Sequence, residues 1–173
     1  MASTGVRSPS HASAEPGAPE HGTACRLVAT PAERQTHFAI REAVFVHEQA
    51  IFRGSDRDER DDDHRTLHVL GFVDQRPVGA VRLYPLDEPG LWQGDRLAVL
   101  HEYRRRHLGG PLVRFAVRTA ARRGGRQMVA YIQPANVVFF QHLGWLPVGE
   151  VQPYAGRPHQ RMVIDLEPWR RSA

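Results

Sequence analysis

From Arg26 onward, short apolar runs alternate with amphipathic stretches. The run Arg26 to Ala29 predicts a first strand, and Thr30-Pro31 reads as a helix cap followed by proline at the first helical position. The helix that follows carries Phe38, Arg41 and Phe45, and its end merges into Val44-Phe45-Val46, which suits a strand equally well. Leu67 to Val73 and Val78 to Leu86 predict two strands joined by the turn residues Asp74-Gln75-Arg76-Pro77, and Trp92 to Val99 the next strand. From Pro111 to Arg123 the apolar positions Leu112, Val113, Ala116, Val117, Ala120 and Ala121 fall at helical spacing. Gln127 to Gln133 predicts another strand, followed by a short helix from Pro134 or Ala135 to Gly144. Two last strands, about Leu146 to Val151 and Arg161 to Leu166, flank the loop Tyr154-Ala155-Gly156-Arg157-Pro158. Alternating strands and helices after an initial hairpin predict a mixed sheet with helices on both faces.

Composition narrows the chemistry. Met1 to about Thr23, rich in Ser, Ala, Pro, Gly and His, lacks the apolar core of a signal peptide and reads as a disordered leader, which leaves residues 24–173 as one domain. No other apolar run is long enough to span a bilayer, so the expectation is a soluble, cytoplasmic protein with no membrane partner. All 23 basic residues are Arg. Without lysine there is no Walker A loop, no kinase strand lysine and no Schiff-base nucleophile. A single cysteine, Cys25, rules out an internal disulfide and a Cys-rich zinc site, and fits a reducing compartment. The acidic run Asp56 to His64 fails as an EF-hand, which would need glycine at Asp61 and glutamate at Leu67. It reads as a solvated loop, and no metal is expected.

The stretch Leu97 to Gly110 carries the strongest chemical signal. An apolar strand end runs into a turn rich in Arg and Gly, then into a helix start. Such a junction directs unpaired N–H groups and the positive end of a helix dipole at one point, which suits a phosphate or pyrophosphate. A plain strand-to-helix connection containing glycine is the alternative.

Tyr103-Arg104-Arg105-Arg106-His107-Leu108-Gly109 resembles the acetyl-CoA signature of the GNAT family of N-acetyltransferases, Arg/Gln-x-x-Gly-x-Gly/Ala, with Arg104 first, Gly109 last and His107 in place of the middle glycine. Arg41 to Gln49, Asn136 through Phe139-Phe140 to Gly144-Trp145, and Pro158 to Met162 resemble the ElaA-like and nitrogen-starvation subgroups, so the likeness runs from about Cys25 to the C-terminus. It implies an α/β fold with a mixed, mostly antiparallel central sheet of about six or seven strands. It also implies acetyl-CoA as cosubstrate, no metal, and direct transfer of acetyl to a primary amine of a small molecule or peptide. The pantetheine arm would pair with Leu97 and Val99, and the pyrophosphate would lie over Arg104, Arg105, Arg106, His107, Leu108, Gly109 and Gly110. Asn136 would hydrogen-bond the arm, or cap its short helix.

An alkyl amine, with a pKa near ~10.4, must lose a proton before it attacks. Asp95, two residues before Leu97 on the same strand face, is the first candidate base; the alternative is a surface carboxylate paired with Arg82 or Arg96. His159 is the second candidate, and His68 and Glu48 also match positions recurrent in the subgroup. Where many relatives place a tyrosine to protonate the leaving thiolate, this chain has Phe140, leaving Tyr131, His142 or Tyr154 as donors. A CoA-binding module with little or no turnover, suggested by His107 and Phe140, is a second reading. Nucleic-acid binding, suggested by a net charge of +4 and the Arg clusters at 104–106, 122–126 and 170–171, ranks last, because no aromatic residues interleave and no helix-turn-helix or zinc-finger pattern occurs. Oligomeric state leaves no mark in the pattern.

Overall fold

In the computed structural model, which describes residues 22–171, the apolar runs become eight strands. These are β1 Thr23–Leu27, β2 Leu67–Val73, β3 Arg76–Pro85, β4 Leu91–Val99, β5 Gln127–Ile132, β6 Leu146–Pro147, β7 Gln152–Tyr154 and β8 Arg157–Asp165. Three α-helices accompany them, α1 Pro31–Glu42, α2 Gly109–Arg122 and α3 Val137–His142. The strand order is β1-β2-β3-β4-β5-β8-β6, with β7 paired to β8. Every pairing is antiparallel except β4 with β5. The expected leader lies outside the described residues apart from its last two, and Thr23 already opens β1.

The sheet has eight strands rather than six or seven, and the differences have local causes. β1 runs Thr23–Leu27 instead of Arg26 to Ala29, since its register against β2 pairs Thr23 with Val73 and Leu27 with Val69. Val44-Phe45-Val46 is helical: α1 continues into a wider π-helical turn, Ala43–Glu48, which keeps Val44 and Phe45 buried beside Ile40. Asp74 and Gln75, at φ 47° and 66°, make the β2–β3 connection a two-residue turn, so β3 starts at Arg76. Ala155 and Gly156, at φ 50° and 74°, do the same for β7 and β8, so the last strand begins at Arg157 rather than Arg161. The expected strand Leu146 to Val151 stops at Pro147, and Gly149 lies in the left-handed region at φ 71°.

The two faces of the sheet have separate cores. On one, Ile40, Val44 and Phe45 pack on Leu70, Ala80 and Ala98. On the other, α2 contributes Leu112, Val113, Ala116, Val117, Ala120 and Ala121 to a larger cluster that also holds Leu108, Met128, Phe140 and Trp145. Gly71 and Gly79, paired across β2 and β3, decide how closely α2 approaches. A Cβ on Gly79 would stand 2.7 Å from Leu108 and 2.8 Å from Leu112, and one on Gly71 2.9 Å from Leu108. Two glycines side by side thus form the seat into which the start of α2 settles, and this fixes where its N-terminus points. Gly79→Ala should cost ~1–3 kcal/mol in urea unfolding, because both leucines are fully buried and must move.

Candidate active site

The parallel ladder between β4 and β5 is short. It pairs Leu91 with Gln127, Trp92 with Met128 and Gln93 with Val129, then ends. From Gly94 onward β4 keeps β3 on one edge and, among the described residues, has no strand on the other. A bulge bends β4 where the ladder is lost: Arg82 faces Asp95 and Ala80 faces Ala98, so two steps on β3 span three on β4. Arg96, at φ 54°, is the extra residue. Between the parting strands lies a cavity of about 140 Å³. Its polar side carries Asp95, Arg96, Gln133, Tyr154 and His159; Val81, Val113, Ala116, Met128, Phe140 and Trp145 line it toward α2, and Phe45, Ile51 and Phe52 also line it. Among the described residues the buried Trp145 indole N–H has no hydrogen-bond partner.

Of the residues singled out from sequence, Asp95, Leu97, Asn136 and His159 meet on this cavity, together with Tyr131 and Tyr154. Val99, Glu48, His68 and His142 do not line it. Asn136 stands at the N-cap of α3 but makes no capping bond with its side chain. The capping alternative is not realised, and its amide is left to the cavity.

Asp95 belongs to a network of buried charges. Arg82, completely buried, donates from Nε and Nη2 to the two Asp95 oxygens, at 2.7 Å each, and from Nη1 and Nη2 to Asp58, at 2.5 and 3.1 Å. The Tyr84 hydroxyl donates to Asp95 Oδ2 at 3.1 Å. Arg41, also buried, holds Asp56 through Nε at 2.7 Å and Asp61 through Nη1 and Nη2 at 2.6 and 3.0 Å. Arg96 bonds the Asp56 carbonyl and Asp58, and His68 lies 3.1 Å from Asp61. Burial alone would raise the Asp61 carboxyl, but hydrogen bonds from His68 and Arg41 hold it well below the usual carboxylate range. Asp58 is lowered in the same way by Arg82.

This corrects the expectation of a solvated acidic loop, since Asp56 and Asp61 are each 2% exposed. They are buried because Arg41 and Arg82 point into the protein and need counter-charges there. A signal was present: Arg41 shares a helix face with Phe38 and Phe45, so it was placed to face inward.

His159 is 6% exposed, and its Nδ1 lies 2.9 Å from the Arg157 carbonyl. A carbonyl only accepts, so Nδ1 carries a hydrogen; in the neutral ring the lone pair is then on Nε2. Among the described residues Nε2 has no partner. The Tyr154 ring meets His159 edge-on at 5.2 Å and stacks on Tyr131 at 5.2 Å. Phe140 is buried, edge-on to Phe139 and Trp145.

The Arg and Gly turn forms a 3-10 turn, His101–Arg106, followed by His107 in the left-handed region (φ 55°, ψ 36°) and then α2. His107 thus adopts the conformation for which glycine is the usual choice, at a cost of ~1 kcal/mol. Among the described residues no side chain caps α2, so none of them offers a side-chain acceptor to its first N–H groups. Gly109 needs no special φ, and a Cβ there would make an ordinary 3.5 Å contact with Phe139. Arg104 is tied to Glu48 at 2.6 Å, and Arg106 to Asp74 at 3.1 Å. Arg105 and His107 are exposed. The hydrogen bond from Arg104 holds the Glu48 carboxyl below its ordinary value.

The sequence profile described as the acetyltransferase (GNAT) family matches residues 30–145. The chain belongs to that family. It is 30% identical over 129 residues to the uncharacterised N-acetyltransferase YjcF of Bacillus subtilis (strain 168), covering 74% of this chain and 89% of that protein. Among solved structures, Escherichia coli ElaA superposes with a TM-score of 0.72 at 23% identity, covering 82% and 98% of the two chains. An aminoglycoside 6'-N-acetyltransferase complexed with coenzyme A does so with a TM-score of 0.69 at 16% identity, covering 84% and 98%. Among the described residues of this GNAT protein no helix is long and apolar enough to cross a membrane, and no group of three or more His, Cys, Asp or Glu could hold a metal ion.

A buried histidine beside the charge network makes the fold sensitive to acid. His37 has no exposure, its Nε2 lies 3.3 Å from the Val81 carbonyl, and among the described residues its Nδ1 has no partner. Burial, helped by His68 and Arg41, pushes the imidazole down to about 3. Because the unfolded chain takes up this proton first, near pH ~6.5, the neutral ring contributes stability above that pH and loses it as pH falls from ~6.5 toward the folded value. Unfolding free energy measured by denaturant at pH 7, 6 and 5 should drop by up to ~1.4 kcal/mol per pH unit below ~6.5. His37→Leu should remove most of that slope.

Proposed function

We propose that this GNAT protein transfers an acetyl group from acetyl-CoA to a primary amine of a small molecule or peptide, by direct attack of the amine on the thioester. The observation that carries this reading is the unpaired edge of β4 from Gly94 onward, leading to the uncapped N-terminus of α2. An extended arm bearing amides can add to such an edge as a strand would, at Leu97 and Val99. The attached pyrophosphate then meets the N–H groups of Gly109 and Gly110 and the positive end of the helix, in the field of Arg104 to Arg106. Asn136 has its amide free to bond the same arm.

The amine approaches from the side of His159 and Tyr154. Its lone pair forms the new C–N bond while the C–S bond breaks and its electron pair stays on sulfur. The proton shed by nitrogen goes to His159 Nε2, the cavity nitrogen with an open lone pair. Asp95 has both oxygens engaged by Arg82 and one also by Tyr84, so in this reading it orients β4 rather than taking the proton. Tyr154, stacked on Tyr131 and touching His159, supplies the sulfur with a proton in place of the tyrosine that Phe140 replaces. Phe140, with His107 in place of the motif's middle glycine, favours the second reading, a CoA-binding module with little or no turnover.

Following free thiol with acetyl-CoA and a panel of amines separates the two readings. His159→Ala should lower kcat by ~10²- to 10⁴-fold and leave acetyl-CoA affinity unchanged. Undiminished turnover would remove His159 from the role of base. Stabilisation by acetyl-CoA without thiol release from any amine would favour the binding module. Gly109→Ala separates folding from binding. Since Gly109 sits in ordinary helical conformation, alanine should raise unfolding free energy by ~0.5–1 kcal/mol. The ~2.7 kcal/mol that acetyl-CoA at about 100 times Kd adds to the wild type should shrink, because the methyl crowds the phosphate.

A further inference from the structure

Residues 48–49 tie together the two sides of the cleft between β4 and β5. They close the π-helical turn Ala43–Glu48, which Val44 and Phe45 anchor in the core beside α1. On the β5 side, the Gln49 side chain accepts a hydrogen bond from Gln133 at 3.4 Å, and its carbonyl accepts one from Arg157, the first residue of β8, at 2.9 Å. On the β4 side, Glu48 takes both ends of the Arg104 fork, Oε1 from Nη1 at 2.6 Å and Oε2 from Nη2 at 2.7 Å. The same guanidinium reaches β4 itself, where its Nε donates to the Val99 carbonyl at 3.2 Å. That carbonyl belongs to the open edge. The Leu100 N–H of the same peptide donates to Val78 of β3, and across a trans peptide the Val99 carbonyl points the opposite way. An arm pairing with β4 needs this acceptor, and an arginine held against it by Glu48 stands in the way. Glu48 does not line the cavity, so its place is not that of a base. Arg104 also lies in the turn that leads to the α2 N-terminus, and a phosphate there offers its fork the same two-oxygen fit with more charge.

We infer that the Glu48–Arg104 pair is a latch over the groove for the arm, and that the pyrophosphate of CoA opens it by taking Arg104 from Glu48. The inference rests on the CoA binding proposed above and adds a competitor to it, since every molecule of CoA bound must first displace Glu48. Glu48 is 34% exposed and Arg104 40%, so water screens the pair and the competition is modest.

Calorimetric titration of the full chain with CoA tests the latch without knowledge of the amine. Glu48→Gln should tighten Kd by ~2- to 5-fold, the equivalent of one part-exposed ion pair. Arg104→Gln should weaken binding, because the phosphate loses its fork. In that background there is nothing left to latch, so adding Glu48→Gln should leave Kd nearly where Arg104→Gln put it. Thermal unfolding checks that each variant is folded, and both positions are open enough to water to accept the change. A looser or unchanged complex with Glu48→Gln would overturn the inference, the looser one by showing that Glu48 holds Arg104 in place for the phosphate. An equal gain from Glu48→Gln with and without Arg104 would overturn it too, by revealing only repulsion between one carboxylate and the phosphates. No binding of CoA to the wild type would instead remove the proposed function beneath it.

Discussion

Arg82 is a full positive charge with no access to water, and the site is arranged around keeping it satisfied. Taking one guanidinium out of water costs several kcal/mol, recovered only when its donors all meet well-placed acceptors. Here they meet Asp95 on β4 and Asp58 and Asp61 in the acidic loop. Arg41 ties the same loop to α1, and Arg96 closes the circuit from the bulge. A planar fork suits this arrangement in a way that an ammonium could not, since each arginine binds two or more carboxylates at once. The network joins α1, the loop, β3 and β4 on the side of the sheet away from α2. It thereby holds β4 in its bent form, and the cleft depends on that bend.

The two sides of the cleft are built from different materials. On the polar side, groups are held by one another: His159 by a carbonyl two residues away, Tyr154 by Tyr131, and Gln133 by Gln49. Toward α2 the lining is hydrocarbon of the core, with the Trp145 N–H as a polar exception. Charged and apolar groups are thus separated in space.

Elements with strong periodicity could be read directly from the chain. α2 shows its apolar positions at helical spacing, and β2, β3 and β5 are mostly apolar runs, so their existence as a helix and strands was legible. Boundaries were lost where one dihedral decides: Ala155 and Gly156 close a hairpin that composition presents as a loop, and Gly149 ends a strand. The junction between β4 and α2 was legible because proline, glycine and arginine occur together there. Less visible was the fate of Asp56 to Asp63. A run of acids has no pattern that reveals burial, and only the partners, Arg41 in one helix and Arg82 in a distant strand, turn it inward. The parting of β4 and β5 was equally hidden, since a strand that loses its neighbour halfway looks the same in sequence as one that keeps it.

That parting has a consequence for solubility. An unpaired strand edge is a template for association, and proteins blunt such edges with charges, prolines or covering loops. β4 carries its open edge in the middle of the sheet, inside a slot with β5 opposite and α2 and α3 beneath. The open edge thus lies inside the sheet rather than at its rim, where a second sheet would pair.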